Sequence, residues 1–147
     1  MVNPLRGSIP AARVGYGNGE AGNLHDGLQH HSDPAGLTAM HHFYANMVKH
    51  LADGLSSIPL GEGTLFDRSV IVWYNTGGRN HHLARADHTA LVIDGSRQLR
   101  GGHVQTYATD RTVSHNDFFL TVLELFGIDP TGWGDPQHNH GPLEALF

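Results

Sequence analysis

The sequence contains no cysteine and a single lysine, Lys49. Without a thiol the chain can form no disulfide, no thiolate zinc site and no cysteine nucleophile. The formal net charge is −5 with histidine neutral, which excludes the basic stripe typical of nucleic-acid-binding proteins. No apolar run reaches the roughly 18 residues of a transmembrane helix. The first residues lack the charged and apolar segments of a signal peptide, so the sequence predicts neither a membrane span nor a leader.

Glycine and histidine are abundant, with 19 and 13 residues among the 147. The glycines indicate long, tightly turned loops. Imidazole is the commonest transition-metal ligand and the usual acid–base group near neutral pH, so the histidines point to a metal or catalytic site. Residues 1–24 have no periodicity and are predicted to form a loop or extended arm, while 25–147 are predicted to form one α/β domain. The glycines at 15, 17 and 19 lack the strand and helix of a phosphate-binding loop.

A first helix is predicted from about residue 34 to 57. Asp33 is a suitable N-cap, Pro34 suits the first turn, and Pro59 follows the end. Apolar residues recur at helical spacing through this segment: Leu37, Met40, Tyr44, Met47, Val48, Leu51 and Leu55. His41 borders this stripe and is expected to face inward. The nearby His42 and His50 lie off it and are expected to be solvated.

Two apolar runs predict strands. Val70–Tyr74 and Thr89–Ile93 are nearly continuous and rich in β-branched residues, which favours strands buried on both faces of a parallel sheet. Asp94 and Gly95 are expected to end the second strand. Residues 103–107 alternate weakly and are interpreted as a short edge strand or hairpin arm.

A second helix is predicted after Ser114. Asp117 completes a capping-box pattern, with Asp in place of the usual Glu or Gln, and Gly127 is the expected end. Residues 130–142 are predicted as a loop, in which His138 and His140 are interpreted as surface residues. The order of helices and strands predicts an α/β fold with a partly parallel sheet flanked by helices.

The densest chemistry lies in the stretch His25-Asp-Gly-Leu-Gln-His-His. Asp26 and His30 form an Asp-x-x-x-His pair, a spacing that places both side chains on one side of a helical turn. A carboxylate and an imidazole so placed suit zinc or a similar divalent ion. His25 and His31 are secondary candidates.

Further polar residues lie in the loop between the two predicted strands. Loops of neighbouring strands converge at one sheet end, and catalytic zinc sites are assembled in this way from several segments. Two arginines there could bind an anionic phosphate or sulfate group. The candidates in this loop are Arg79, Asn80, His81, His82, Arg85, Asp87 and His88.

Two other hydrolase classes are less well supported. The serines at 8, 56 and 57 lack the Gly-x-Ser-x-Gly elbow of serine hydrolases and do not lie between a strand and a helix. The acidic residues are scattered, with no pairing typical of a glycosidase.

Several of these segments together resemble the C-terminal half of alkaline-phosphatase-like proteins, a superfamily that includes the sulfatases. The resemblance is carried by the His25–His31 motif, by Ile58-Pro-Leu-Gly-Glu-Gly-Thr-Leu-Phe-Asp-Arg-Ser-Val-Ile-Val-Trp-Tyr, by Asp87-His-Thr-Ala-Leu-Val-Ile-Asp-Gly and by Gly127-Ile-Asp-Pro. It extends over about residues 20–147. The most similar groups are uncharacterised, usually exported bacterial proteins, which implies an exported or periplasmic location.

The resemblance also implies a set of metal ligands. In the superfamily an Asp-x-x-x-His pair binds one metal, an Asp-His pair after the next strand binds a second, and a later His completes the first site. Asp26 and His30 match the first pair, and His88, preceded by Asp87, resembles the later His. Asn75 and Thr76 stand where the Asp-His pair is expected. The first metal site is therefore better preserved than the second.

The expected function is that of a divalent-metal-dependent hydrolase-like domain for small phosphate or sulfate esters. Zinc is the favoured metal, with manganese, calcium and magnesium as alternatives. His31 and His81 are candidate acid–base groups, and Arg79 is a candidate substrate ligand. The superfamily's nucleophile-bearing N-terminal half has no counterpart here, so either the chain is a fragment, or a partner chain supplies that half, or the hydrolase function is lost. A homo-oligomer is a further alternative. The alternatives are a non-catalytic, histidine-rich metal-binding or assembly module, and a metal-dependent enzyme of other chemistry.

Overall fold

The computed structural model describes residues 34–75, 88–102, 104–107 and 113–147. The chain divides into two compact units, the first ending at Ile93 and the second comprising Asp94–Phe147. The described residues form two α-helices, four short strands and three 3-10 turns, which confirms the mixed α/β class. In this described part no helix has both the length and the apolar character needed to cross a membrane.

The first helix, α1 (Pro34–Ser56), matches the predicted segment to within one residue. Its buried side is marked by Gly36 and Met40, and Tyr44 and Val48 follow on the same side as half-buried residues. Met47 and Leu51, which the periodicity placed in the same stripe, are about half exposed. The apolar stripe of α1 is therefore wider than the side of the helix that the rest of the first unit buries.

A small hairpin follows α1. Strands β1 (Pro59–Leu60) and β2 (Gly63–Thr64) pair antiparallel, with Pro59 opposite Thr64. Gly61 has φ 61° at the first position of the two-residue turn, a conformation that glycine adopts without strain. The Asp67 carboxylate, in the 3-10 turn Phe66–Arg68, accepts hydrogen bonds from the Thr64 amide at 2.7 Å and its hydroxyl at 2.8 Å.

The two predicted strands are present as β3 (Val70–Asn75) and β4 (Thr89–Asp94), paired in a two-stranded sheet. Both sheets of the described residues are antiparallel, and no parallel pair is found among them. The connection over residues 76–88 has about the minimum length for a parallel crossover, whereas an antiparallel pair has no such requirement.

The expectation that both strands are buried on both faces is wrong for the described structure. Ile71 is buried at 8 % exposure and the rest of β3 is half-buried, but Thr89, Ala90 and Leu91 in β4 are exposed. Continuous Val and Ile residues show that a strand is favoured; they do not show how many faces are covered.

Helix α1 packs on β3 through Trp73. The His41 ring lies edge-on to Trp73 with centroids 6.0 Å apart, and the Tyr44 ring is tilted against it at 6.4 Å. Burial raises the pKa of the Tyr44 phenol. His41 makes this contact, but the residue is exposed, so the inward orientation expected for it is only partly met.

The second unit begins with a turn held by the Asp94 carboxylate. One oxygen accepts from the Ser96 amide at 2.8 Å, and the other accepts from the amides of Gln98 and Leu99 at 2.6 and 2.8 Å. Burial alone would raise the Asp94 pKa, but the hydrogen bond from the Ser96 hydroxyl and these backbone hydrogen bonds outweigh it and lower the pKa. The two carboxylate oxygens thus satisfy three nearby backbone donors, as Asp commonly does at turns.

Helix α2 (His115–Leu125) has the predicted start and end. Ser114 is the N-cap and forms a capping box with Asp117. At the other end the Gly127 amide donates to the Glu124 carbonyl at 2.8 Å and the Ile128 amide donates to Leu123 at 3.1 Å, the two bonds of a Schellman motif. Gly127 has φ 66°, the left-handed conformation that this motif requires.

The core of the second unit lies along one side of α2. Phe118, Leu120 and Leu125 are buried together with Leu143 from the C-terminal segment. This segment contains the 3-10 turns Pro136–His138 and Glu144–Leu146. Residues 104–107 are irregular, so the described part of the weakly alternating 103–107 segment is not a strand. Val104 is 91 % exposed, so burial of its side chain does not stabilise a strand there.

Candidate functional site

Of the eleven candidate residues in the first motif and the inter-strand loop, the structure describes one, His88. The other ten lie outside the described residues: His25, Asp26, His30, His31, Arg79, Asn80, His81, His82, Arg85 and Asp87. Among the residues that are described, no group of three or more His, Asp or Glu side chains is placed to hold a metal ion.

His88 is half-buried at the start of β4, beside the end of β3. Its Nδ1 atom lies 3.3 Å from the Asn75 carbonyl oxygen. Because a carbonyl can only accept, this contact favours the tautomer with the proton on Nδ1 and the lone pair on Nε2. The ring stacks on Tyr74 with an interplanar angle of 6° and centroids 6.0 Å apart. Both contacts restrict the orientation of the imidazole.

The two histidines of α1 that were expected to be solvated, His42 and His50, are exposed. Neither is part of a metal-binding group in the described region. Substitution of either residue can therefore serve as a control for substitution of a histidine in the proposed site.

The second unit contains an Asp–His pair that sequence reasoning assigned to a capping box and a surface loop. Asp117 is 1 % exposed, and one carboxylate oxygen accepts from His140 Nδ1 at 2.9 Å and from the Ser114 amide at 2.7 Å. The other oxygen accepts from the His140 amide at 2.7 Å. The carboxylate thus caps the helix and fixes both the backbone and the ring of His140.

Local sequence explains how the loop reaches the start of α2. The Ser114 hydroxyl donates to the His138 carbonyl, and Asn116 Nδ2 donates to Asn139 Oδ1 at 2.9 Å. Thr121, one turn after Asp117, receives the Leu143 amide on its hydroxyl at 2.7 Å. Polar residues on one side of α2 therefore bind successive positions of the loop, and His140 lies between them.

These contacts determine the charge of Asp117. Burial alone would raise the Asp117 pKa, but hydrogen bonds from His140 and Ser114, together with the positive charge of a protonated His140, lower the pKa below its usual value. Asp117 is therefore ionised near neutral pH. An ionised carboxylate on Nδ1 holds the proton at that atom and leaves Nε2 as the nitrogen available to other groups.

The His140 ring lines an open cleft of about 330 Å³. Apolar and polar residues share its walls. They are Tyr107, Val113, Asp117, His140, Gly141, Pro142, Leu143, Glu144 and Ala145. The His140 side chain is 47 % exposed, so its ring is accessible although its carboxylate partner is not.

One feature of the sequence points to the Asp117–His140 pair, and the capping-box prediction did not use it. Asp replaces the longer Glu or Gln at the third position of the capping box, followed by the apolar Phe118. A carboxylate drawn into an apolar helix face needs several donors to be tolerated. His140, which precedes Gly141 and Pro142, supplies two of these donors. It lies 23 residues after Asp117, and a local sequence pattern does not reveal a contact over that separation.

Comparison with known proteins adds no relative to this description. No protein-family model, no curated protein and no solved structure matches the chain.

Proposed function

We propose that this chain is a divalent-metal-dependent, hydrolase-like domain acting on small phosphate or sulfate esters. In this proposal Asp26, His30 and His88 bind one metal ion, with zinc as the favoured metal. We also propose that the fold is part of an alkaline-phosphatase-like fold with further, parallel strands beyond those described. The observation that supports the proposal best is the position of His88.

His88 has the features of a prepared metal ligand. A metal-binding imidazole must be neutral at the ligating nitrogen, and its other nitrogen usually donates to a carboxylate or backbone carbonyl. The 3.3 Å contact between Nδ1 and the Asn75 carbonyl supplies that second interaction. Stacking on Tyr74 limits ring rotation, so less conformational freedom is lost when Nε2 binds an ion.

The chemistry of the proposed donors fits a divalent ion. Two imidazoles and a carboxylate leave one tetrahedral position for water or substrate. When bound, the ion supplies Lewis-acid polarisation of the ester oxygen and a more acidic water. Arg79 would bind the anionic oxygens of the ester. His31 or His81 would take a proton from the attacking water and return one to the leaving oxygen.

Metal content tests the ligand set directly. Protein purified without a tag should contain about one equivalent of zinc or a related ion by elemental analysis. Asp26→Ala and His88→Ala should lose it, while His50→Ala, an exposed histidine outside the site, should retain it. Circular dichroism identifies any variant that fails to fold. A folded, metal-free parent, or unchanged metal in both variants, would show that the ligand set is wrong.

Ester assays then separate the enzyme from a binding module. With metal bound, p-nitrophenyl phosphate or p-nitrophenyl sulfate should be hydrolysed, and His88→Ala should lower the rate at least tenfold. A metal-loaded protein that is inert on both esters supports the alternative, a non-catalytic metal-binding or assembly module.

A further inference from the structure

The cleft beside His140 is formed entirely by the second unit and is not used by the proposed metal site. Its volume of about 330 Å³ is near the lower end of the roughly 300–1,000 Å³ typical of small-molecule sites. Val113, Pro142, Leu143 and Ala145 supply apolar walls, and Tyr107 adds an aromatic ring. Such a lining favours a small organic molecule over a metal ion, since a metal site would be lined by ligating nitrogen and oxygen atoms. In agreement, no group of three metal-ligating side chains is found among the described residues.

The polar groups of the cleft define what its ligand must carry. The Asp117 carboxylate, 2.9 Å from His140 Nδ1, holds a ring proton there, so Nε2 of the neutral ring offers a lone pair. Glu144 also lines the cleft, and the lining contains neither Lys nor Arg. With His140 neutral, the Nε2 acceptor and the Glu144 carboxylate favour a ligand with a hydrogen-bond donor over an anion.

His140 is also held rigidly enough to select a ligand. Its backbone amide donates to Asp117 at 2.7 Å, and its ring donates to the same carboxylate, so backbone and side chain are fixed together. The carboxylate itself is 1 % exposed and anchored in α2. An acceptor placed in this way binds a donor without first being ordered, which is the usual source of affinity in small sites.

We propose that this cleft is a binding site for a small, partly apolar molecule that carries a hydroxyl or ammonium group, with His140 Nε2 as the acceptor of its hydrogen bond. The walls from residues 142–145 contact the apolar body, and Glu144 favours the cationic form over an anionic one. Asp117 is a positioning residue that acts through His140.

Three probes with one common body test the proposal: benzyl alcohol, benzylamine and benzoate. Each is titrated into the full chain labelled with ¹⁵N, and imidazole and amide resonances are followed by NMR. Before addition, His140 should show the tautomer protonated at Nδ1. The alcohol and the amine should shift its Nε2 resonance and the Leu143 amide with saturation, and benzoate should bind at least fivefold more weakly. Absence of a saturable shift with any probe, or equal binding of benzoate, overturns the proposal.

Variants identify the acceptor. His140→Ala should weaken binding of benzyl alcohol at least tenfold, measured at Leu143, whereas His138→Ala, two residues away and outside the cleft, should leave it unchanged. Glu144→Gln should weaken benzylamine several-fold and leave benzyl alcohol unaffected, and it provides the test if His140→Ala fails to fold. Equal loss of both probes in Glu144→Gln, or unchanged affinity in a folded His140→Ala, contradicts the assignment.

Discussion

Replacing Asp117 by Asn should destabilise the second unit strongly, although the substitution changes no volume. The carboxylate has three donors directed at it: the Ser114 amide, the His140 amide and His140 Nδ1. An amide side chain offers one oxygen, and its NH₂ group must face a donor in either orientation. With the NH₂ toward the His140 amide, that N–H loses its acceptor. In the other orientation the ring can change tautomer, but the Ser114 N–H is left unpaired.

The expected magnitude follows from these two outcomes. One buried backbone N–H without an acceptor costs about 1–3 kcal/mol. The hydrogen bonds that remain are made to a neutral oxygen and are weaker than those to a charged carboxylate by about 1 kcal/mol. Weakening of the capping box costs a similar amount of free energy, about 0.5–2 kcal/mol. We therefore expect Asp117→Asn to lower the free energy of unfolding by about 2–4 kcal/mol.

The chain offers a direct assay because it has two tryptophans, one in each unit. In a Trp73→Phe background the fluorescence of Trp133, whose ring contacts Phe119 at 5.7 Å, reports the second unit alone. Urea unfolding is compared for the parent, Asp117→Asn and Glu124→Gln, an exposed change on the same helix expected to stay within about 0.5 kcal/mol. A loss for Asp117→Asn no larger than that control would refute the assignment of Asp117 as the shared acceptor.

Three further outcomes are expected. Since hydrogen bonding lowers the Asp117 pKa in the folded state, its stabilisation is complete above the unfolded value near pH 4 and is lost as the pH falls through the folded value. An acid titration of unfolding free energy should show a larger loss in the parent than in Asp117→Asn, in which the lowered pKa of Asp94 still contributes. Gly127→Ala should destabilise the second unit by about 1–2 kcal/mol, measured by urea unfolding, because φ is 66° while space for Cβ is open. His41→Ala should lower the stability of the first unit by about 0.5–1 kcal/mol through its contact with Trp73, and the exposed His42→Ala should not, by thermal unfolding.

The features predicted well are those encoded within a few residues. The bounds of α1 follow from Pro34 and helical periodicity, and those of α2 from the Ser114 cap and Gly127. Each signal acts through a hydrogen bond or a fixed dihedral angle between near neighbours, so tertiary structure does not alter it. The burial of Leu91 depends on partners distant in sequence, which explains why the expectation of a strand covered on both faces was wrong.

The difference between local signals and distant partners also explains why His88 could be predicted from the sequence and the role of His140 could not. His88 adjoins a strand and an aspartate, and it was singled out from that local pattern. His140 owes its role to a carboxylate 23 residues earlier, and that carboxylate already had a complete local explanation as a helix cap. A carboxylate has about four lone-pair positions, however, and a capping box uses only one of them. Buried capping carboxylates therefore have unused acceptor capacity, and here His140 uses it with its backbone amide and its ring. Any change that shifts the start of α2 should move Nε2 with it, so the geometry of the cleft and the beginning of the helix are one structural feature.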